Sequence, residues 1–278
     1  MIYHVAARSM VGRVRKNNED NLCIDDYFLP ENHGDSEIVK YRFKSSAPHL
    51  IGVFDGMGGY SDGEKASFIA ASTASHHRNG SSVEEGFTHT LINMCMEAND
   101  LICAEADGSH MGTTCASLIL YNGHYTLCNI GDSPIFLVRD GAIRQLSIDH
   151  NQKATFERAT GKPAKPGQKF KLTQCLGIPK EDMLIEPYTE EGIVKPGDVF
   201  LLCSDGVTDM VDLQTLHELC QSATTAEEKV ARITERAYEA GGRDNITLIT
   251  VQIPAETESV FNGGYASILN RIRMMFGK

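Results

Sequence analysis

Six carboxylates sit where apolar runs begin or end. Leu50–Phe54 leads into Asp55, followed by Gly56, Met57, Gly58 and Gly59, and "LLCSDG" repeats the device with Asp205-Gly206. "LCNIGDS" closes a run with Asp132, "GGRDNITLITV" opens one with Asp244, and Glu19 and Asp20 precede "NLCI". Taken singly, each is an ordinary strand-to-turn junction, since Asp tolerates and Gly favours positive φ. Their repetition points to chemistry. Like charges brought together raise one another's pKa, and the usual remedy is a divalent cation. Oxygen-only donors suit Mg²⁺ or Mn²⁺ rather than Zn²⁺. The glycines then clear space beside the ions and let the Gly56 carbonyl act as a further ligand. Arg15, four residues before Glu19, adds a guanidinium suited to bidentate pairing with a phosphate. The histidines offer no rival: there is no HExxH, His76-His77 reads as a solvated or satisfied pair, and Asp149-His150 reads equally as a functional or an ordinary turn.

The elements that must position these residues follow from periodicity. Strands are expected at Met1–Ala7, within Gly12–Asp25, at Leu50–Phe54 and at Val199–Cys203, with a closing strand in "DNITLITVQI". Asn122-Gly123 and Asp140-Gly141 each separate two apolar runs, the signal of a two-residue hairpin. Helical spacing predicts Gly63–Arg78, Val83–Ala106 with Ser82 as N-cap, Val211–Ser222 and Ala226–Ala240. Asp26–Pro48 reads as a hairpin connection or loop, and Asp149–Phe170, rich in Lys, Gly and Pro, as a mobile surface segment. Helices come in pairs and strands in hairpin runs, so one α+β domain with antiparallel sheets and helices on their outer faces is expected.

Composition sets the limits. The 278 residues carry a net charge of −11. Such a chain repels a phosphate backbone, so nucleic acid is excluded as the main partner. Eight cysteines without a CxxC pair read as buried reduced thiols of a cytoplasmic protein. Neither a signal sequence nor an apolar run long enough to span a membrane is present in the sequence.

In order along the chain, "GRVRKNNED", "VFDGMGG", "MGTTCASLIL", "NIGDSPIFLV", "LSIDH", "LTQCLG", "LLCSDGVTDMV" and "GGRDNITLITV" resemble the motif series of the metal-dependent protein phosphatases. These are the PPM or type 2C serine/threonine phosphatases, here of the compact bacterial type. The resemblance implies a four-layer α-β-β-α sandwich, with the catalytic domain over 1–254 and a flap at about 150–171. It implies a binuclear Mn²⁺ or Mg²⁺ centre at one end of the sandwich. Asp55 resembles the bridging ligand, Asp205 and Asp244 ligands of the first ion, and Glu19 with the Gly56 carbonyl ligands of the second. Asp132 and Asp209 match positions for a weaker third ion. Asp20 looks like the residue that orients the attacking water, and Arg15 like the substrate-phosphate ligand. Two positions depart from the pattern: Met57 stands where many members carry a His thought to act as general acid, and Pro134 where Arg is usual.

The function implied is hydrolysis of phosphoserine and phosphothreonine on proteins by a monomer, opposing a Hanks-type kinase and acting on its targets. A phosphoprotein-binding pseudophosphatase and a small-molecule phosphoesterase are the alternatives. Beyond the family match, Tyr265, Ile268, Leu269, Ile272, Met275 and Phe276 share one face at helical spacing. An amphipathic tail helix is therefore expected within 255–278, docked on the enzyme itself, on a protein partner or on a membrane surface.

Overall fold

A computed structural model describes residues 1–58, 62–80, 86–106, 110–162 and 170–255. The chain runs β1 (Ile2–Met10), β2 (Asp20–Ile24), β3 (Tyr27–Phe28), β4 (Val39–Lys44), β5 (His49–Gly58), α1 (Gly63–Gly80) and α2 (Phe87–Glu105). It continues through β6 (Met111–Thr113), β7 (Cys115–Tyr121), β8 (His124–Ile130), β9 (Ile135–Arg139), β10 (Ala142–Gln145), α3 (Gln152–Thr160) and β11 (Tyr188–Ile193). The last elements are β12 (Val199–Cys203), α4 (Asp205–Thr208), α5 (Leu213–Ser222), α6 (Ala226–Glu239) and β13 (Ile246–Gln252). Two antiparallel sheets result, ordered β10-β9-β12-β13-β1-β4 and β11-β8-β7-β5-β2-β3, with β6 added to β5.

Side-chain alternation stacks the layers. Phe200 and Leu202 of β12, Ile249 and Val251 of β13 and Tyr3 and Val5 of β1 face Leu22, Ile51, Val53 and Leu118 of the other sheet. The intervening Leu201, Cys203 and Leu248 turn outward and pack with Leu216, Val230 and Ile233 of α5 and α6. On the far side Leu50, Phe54 and Ile119 pack with Ala70, Leu91 and Met94 of α1 and α2. Strands covered on both faces need no polar residues, so they appear in the sequence as continuous apolar runs. This is the expected α-β-β-α sandwich. Both hairpin signals hold: Asn122, Gly123, Asp140 and Gly141 all have positive φ, as the mirror-image turn requires.

Several expectations are corrected. Asp26–Pro48 is not simply a connection, because it contains β3 and β4, and β4 forms the edge beside β1. The segment after Asp149 is not structureless: Asn151 caps α3 by accepting from the Ala154 N–H at 2.8 Å, and Gly161 ends it at φ 64°. The strand at Leu50 does not stop at Asp55. It pairs with β7 as far as Val53 and then with β6 from Gly56 to Gly58, so Asp55 sits where the partner changes. Asp205 opens the short α4, behind Ser204. Ser82 and the tail segment 259–278 lie outside the described residues. Among the described residues no helix is long and apolar enough to cross a membrane, and the eight cysteines are free, six of them buried.

Candidate active site

The carboxylates singled out from sequence gather at one end of the sandwich. Asp20, the first residue of β2, stands opposite Asp55 in the β2–β5 register. Asp205 follows β12, Asp132 follows β8 by two residues, and Asp244 precedes β13 by two. Asp209 closes the first turn of α4, its N–H donating to the Asp205 carbonyl at 2.8 Å.

Close backbone approach brings these segments together, and glycine permits it. A Cβ on Gly56 would lie 2.1 Å from the Gly63 carbonyl oxygen and 2.3 Å from that of Glu19, and one on Gly206 would lie 1.8 Å from the Asn245 carbonyl oxygen. The glycines therefore serve contact between chain segments as well as space for ions. At Gly63 the two roles meet, since a Cβ there would sit 3.1 Å from the Glu19 carboxyl carbon and 3.2 Å from the Gly56 carbonyl oxygen.

Asn245 holds the Arg15 loop, a role that sequence alone did not suggest. Its Oδ1 accepts from the Glu19 N–H at 2.9 Å, and its Nδ2 donates to the carbonyls of Val11 and Asn17, both at 2.9 Å. The buried amide thus fastens residues more than 220 positions away. The adjacent Asp-Asn pair beginning a strand was its visible signal. Ser204 is a second unforeseen support: its hydroxyl donates to Asp20 Oδ2 at 2.8 Å and accepts from the Thr247 N–H at 3.1 Å. Thr114 Oγ1 accepts from the Asp55 N–H at 3.0 Å, fixing that backbone where the strand changes partner.

The electrostatics are those of an anion cluster awaiting counter-charge. Burial first, then the charges of Asp20, Asp205, Asp244 and Asp132, hold the Asp55 carboxyl well above the usual range. Burial raises Asp20 to about 7, against hydrogen bonds from Thr247 and Ser204. Burial and the charges of Asp132 and Asp209 raise Asp205 to about 8. Asp132 and Asp209 are raised too, chiefly by burial.

Among the described residues no group of three or more His, Cys, Asp or Glu side chains is drawn in as a finished ion cage. Instead the Arg15 guanidinium stands in for a cation, 2.6 Å from Asp244 Oδ2 and 3.4 Å from Glu19 Oε2. The donor set fits divalent hard cations. It offers only oxygen, its charges cannot all persist unpaired, and a positive group already bridges two of its members. Met57, on β5 opposite Gly112, brings no proton donor.

A model of the protein phosphatase 2C family matches residues 38–239, which include Asp55, Gly56, Asp132, Asp205 and Asp209. The chain is 29% identical to the serine/threonine phosphatase stp of Listeria monocytogenes over 265 residues, 90% of this chain and 95% of that protein. The crystal structure of the Mycobacterium tuberculosis serine/threonine phosphatase PstP superposes with a TM-score of 0.75 at 27% identity, covering 91% of this chain and 100% of that one. A structure of the PstP catalytic domain in complex with two manganese ions gives a TM-score of 0.73 at 27% identity, with the same coverage. Sequence and architecture agree: the chain belongs to the protein phosphatase 2C family.

Proposed function

We propose that the protein is a metal-dependent serine/threonine protein phosphatase. The observation that carries this reading is the crowding of Asp20, Asp132, Asp205 and Asp244 upon Asp55, with Arg15 reaching across the same cluster. Asp55, Asp205 and Asp244 would hold one ion, and Asp55, Glu19 and the Gly56 carbonyl a second. Asp132 and Asp209 would hold a weaker third. When bound, Mn²⁺ or Mg²⁺ supplies the Lewis acidity and positive charge that phosphoryl transfer requires.

Arg15, released from Glu19 and Asp244, pairs with two oxygens of the substrate phosphate and fixes phosphorus for in-line attack by water. Asp20, opposite Asp55 in the β2–β5 register, is suited to orient that water and accept its proton. Ser204 keeps the Asp20 carboxylate in place. The bond from phosphorus to the Ser or Thr oxygen breaks, and no residue of the chain becomes phosphorylated. Because Met57 cannot donate, bound water or another acid must protonate the leaving oxygen. The partners on this reading are phosphorylated proteins and the serine/threonine kinase that modifies them, in the cytoplasm.

The test is phosphate release from a phosphothreonine peptide and from a nucleotide monophosphate, with and without Mn²⁺. Metal-dependent turnover of the peptide is expected, with the nucleotide the poorer substrate. Peptide binding without turnover would identify a pseudophosphatase, and preference for the nucleotide a small-molecule phosphoesterase.

A further inference from the structure

Charge around the candidate site is uneven. Residues 152–171 carry six of the chain's 26 Lys and Arg but one of its 37 Asp and Glu, although the whole chain has a net charge of −11. Four of the six, Lys153, Arg158, Lys162 and Lys171, are among the described residues, and all four are exposed. Solubility alone does not call for a cationic segment on an acidic chain, since acidic residues serve that purpose at least as well.

This segment is fastened to the site. The Asn151 Nδ2 donates to Asp132 Oδ2 at 3.5 Å. The Gln152 N–H donates to the Lys171 carbonyl at 2.9 Å, and the His150 N–H to the Gly131 carbonyl at 2.8 Å, closing its base. Lys153 lies two residues beyond Asn151, and Lys171 belongs to the closed base itself. Arg243 is exposed next to Asp244, as Arg13 and Lys16 are beside Arg15. Three separate stretches of chain, 13–16, 152–171 and Arg243, therefore place cations beside residues of the carboxylate cluster. Arg15 suffices for one phosphate group, so the outer cations complement an anion larger than that.

We propose that Lys153, Arg158, Lys162 and Lys171 select acidic phosphoproteins, in which Asp, Glu or a second phosphate flanks the phosphoserine or phosphothreonine. The inference rests on the phosphatase reading and adds the class of substrate. Attraction between exposed opposite charges steers and positions such a substrate and is weakened by salt.

The experiment compares two phosphothreonine peptides that differ only in Glu or Gln at the flanking positions, with Mn²⁺ present. A kcat/KM about fivefold to tenfold higher for the Glu peptide is expected at low salt, as two or three screened ion pairs would give. The ratio should fall to within about twofold at about 0.5 M salt. The double variant Arg158→Glu/Lys162→Glu should abolish or invert the ratio. Lys195→Glu, in the exposed turn before β12, should keep it. Because the readout is a ratio within one enzyme, partial misfolding lowers both values alike. Equal kcat/KM for the two peptides, or a preference that survives the double variant, overturns the inference alone. Turnover of neither peptide overturns the phosphatase reading, and this inference with it.

Discussion

Replacing Asp205 by Asn should stabilise the metal-free protein while destroying its activity. The Asp205 carboxyl is raised from 3.8 to about 8 by burial and by the charges of Asp132, Asp209, Asp244 and Asp20. A carboxyl raised on folding favours the folded state fully only below its unfolded pKa, and that contribution is lost as pH rises through the folded value. Every tenfold change in acidity between the folded and unfolded carboxyl corresponds to about 1.4 kcal/mol, so at about pH 7 the ionisable Asp205 costs up to about 4 kcal/mol relative to a neutral isostere. Asp20 and Asp55 compete for the same protons, so the contributions are not additive, and a net gain of about 2 kcal/mol is expected. For a chain of this size that corresponds to a rise in Tm of about 4–8 °C. The assay is thermal unfolding in excess chelator from about pH 4 to about pH 8, followed by the same series with Mn²⁺. The Tm difference should be near zero at the acid end, grow with pH, and reverse once metal stabilises the wild type by mass action. An Asn variant no more stable than wild type at about pH 8, or a gap that narrows as pH rises, would refute the anion-cluster reasoning.

Arg15→Ala should raise KM for a phosphothreonine peptide roughly tenfold with little change in Mn²⁺ dependence, since the role proposed for Arg15 is to bind phosphate and not metal; unchanged steady-state kinetics would return it to the surface. Asp132→Ala should lower turnover at limiting Mn²⁺ yet keep two tight binding events by calorimetry, and loss of those events would show the residue to be misplaced. Asn245→Ala leaves the Glu19 N–H and two carbonyls without partners, costing about 2–4 kcal/mol and raising the metal concentration needed for activity; denaturant melts and metal titrations measure both. Deleting 259–278 should leave peptide turnover nearly unchanged, because every residue assigned to the site precedes it, and loss of activity in a folded protein would contradict that assignment.

The sequence revealed the clustered carboxylates better than it revealed some of the elements around them. Asp55 and Asp205 stood out because strands buried on both faces are uniformly apolar, so any charge at their ends is conspicuous. β4 is written in a different code, with Val39, Tyr41 and Phe43 half-buried and Lys40, Arg42 and Lys44 exposed, and its polar, Pro-bounded surroundings resembled a loop. α3 buries none of its residues, so it has no apolar stripe to read, and only Asn151 and Gly161 marked its ends. Asn245 was hidden for a different reason. Its three bonds reach Val11, Asn17 and Glu19, and no local pattern announces a partner so far away along the chain.

β13 makes completion of the enzyme a late event in synthesis. This strand lies between β12 and β1 at the middle of its sheet, pairing with β1 from Met10↔Ile246 to His4↔Gln252. A growing chain makes Arg15, Glu19, Asp20 and Asp55 early, yet Asp244 and Asn245 emerge some 190 residues after Asp55. Until β13 inserts, β1 and β12 have no strand to join them, and the Arg15 loop lacks its three bonds to Asn245. With Asp244 as a metal ligand, as proposed, the nascent polypeptide is expected to stay inactive until β13 has left the ribosome. Such sequence-distant pairing also places folding among the slower β-rich domains.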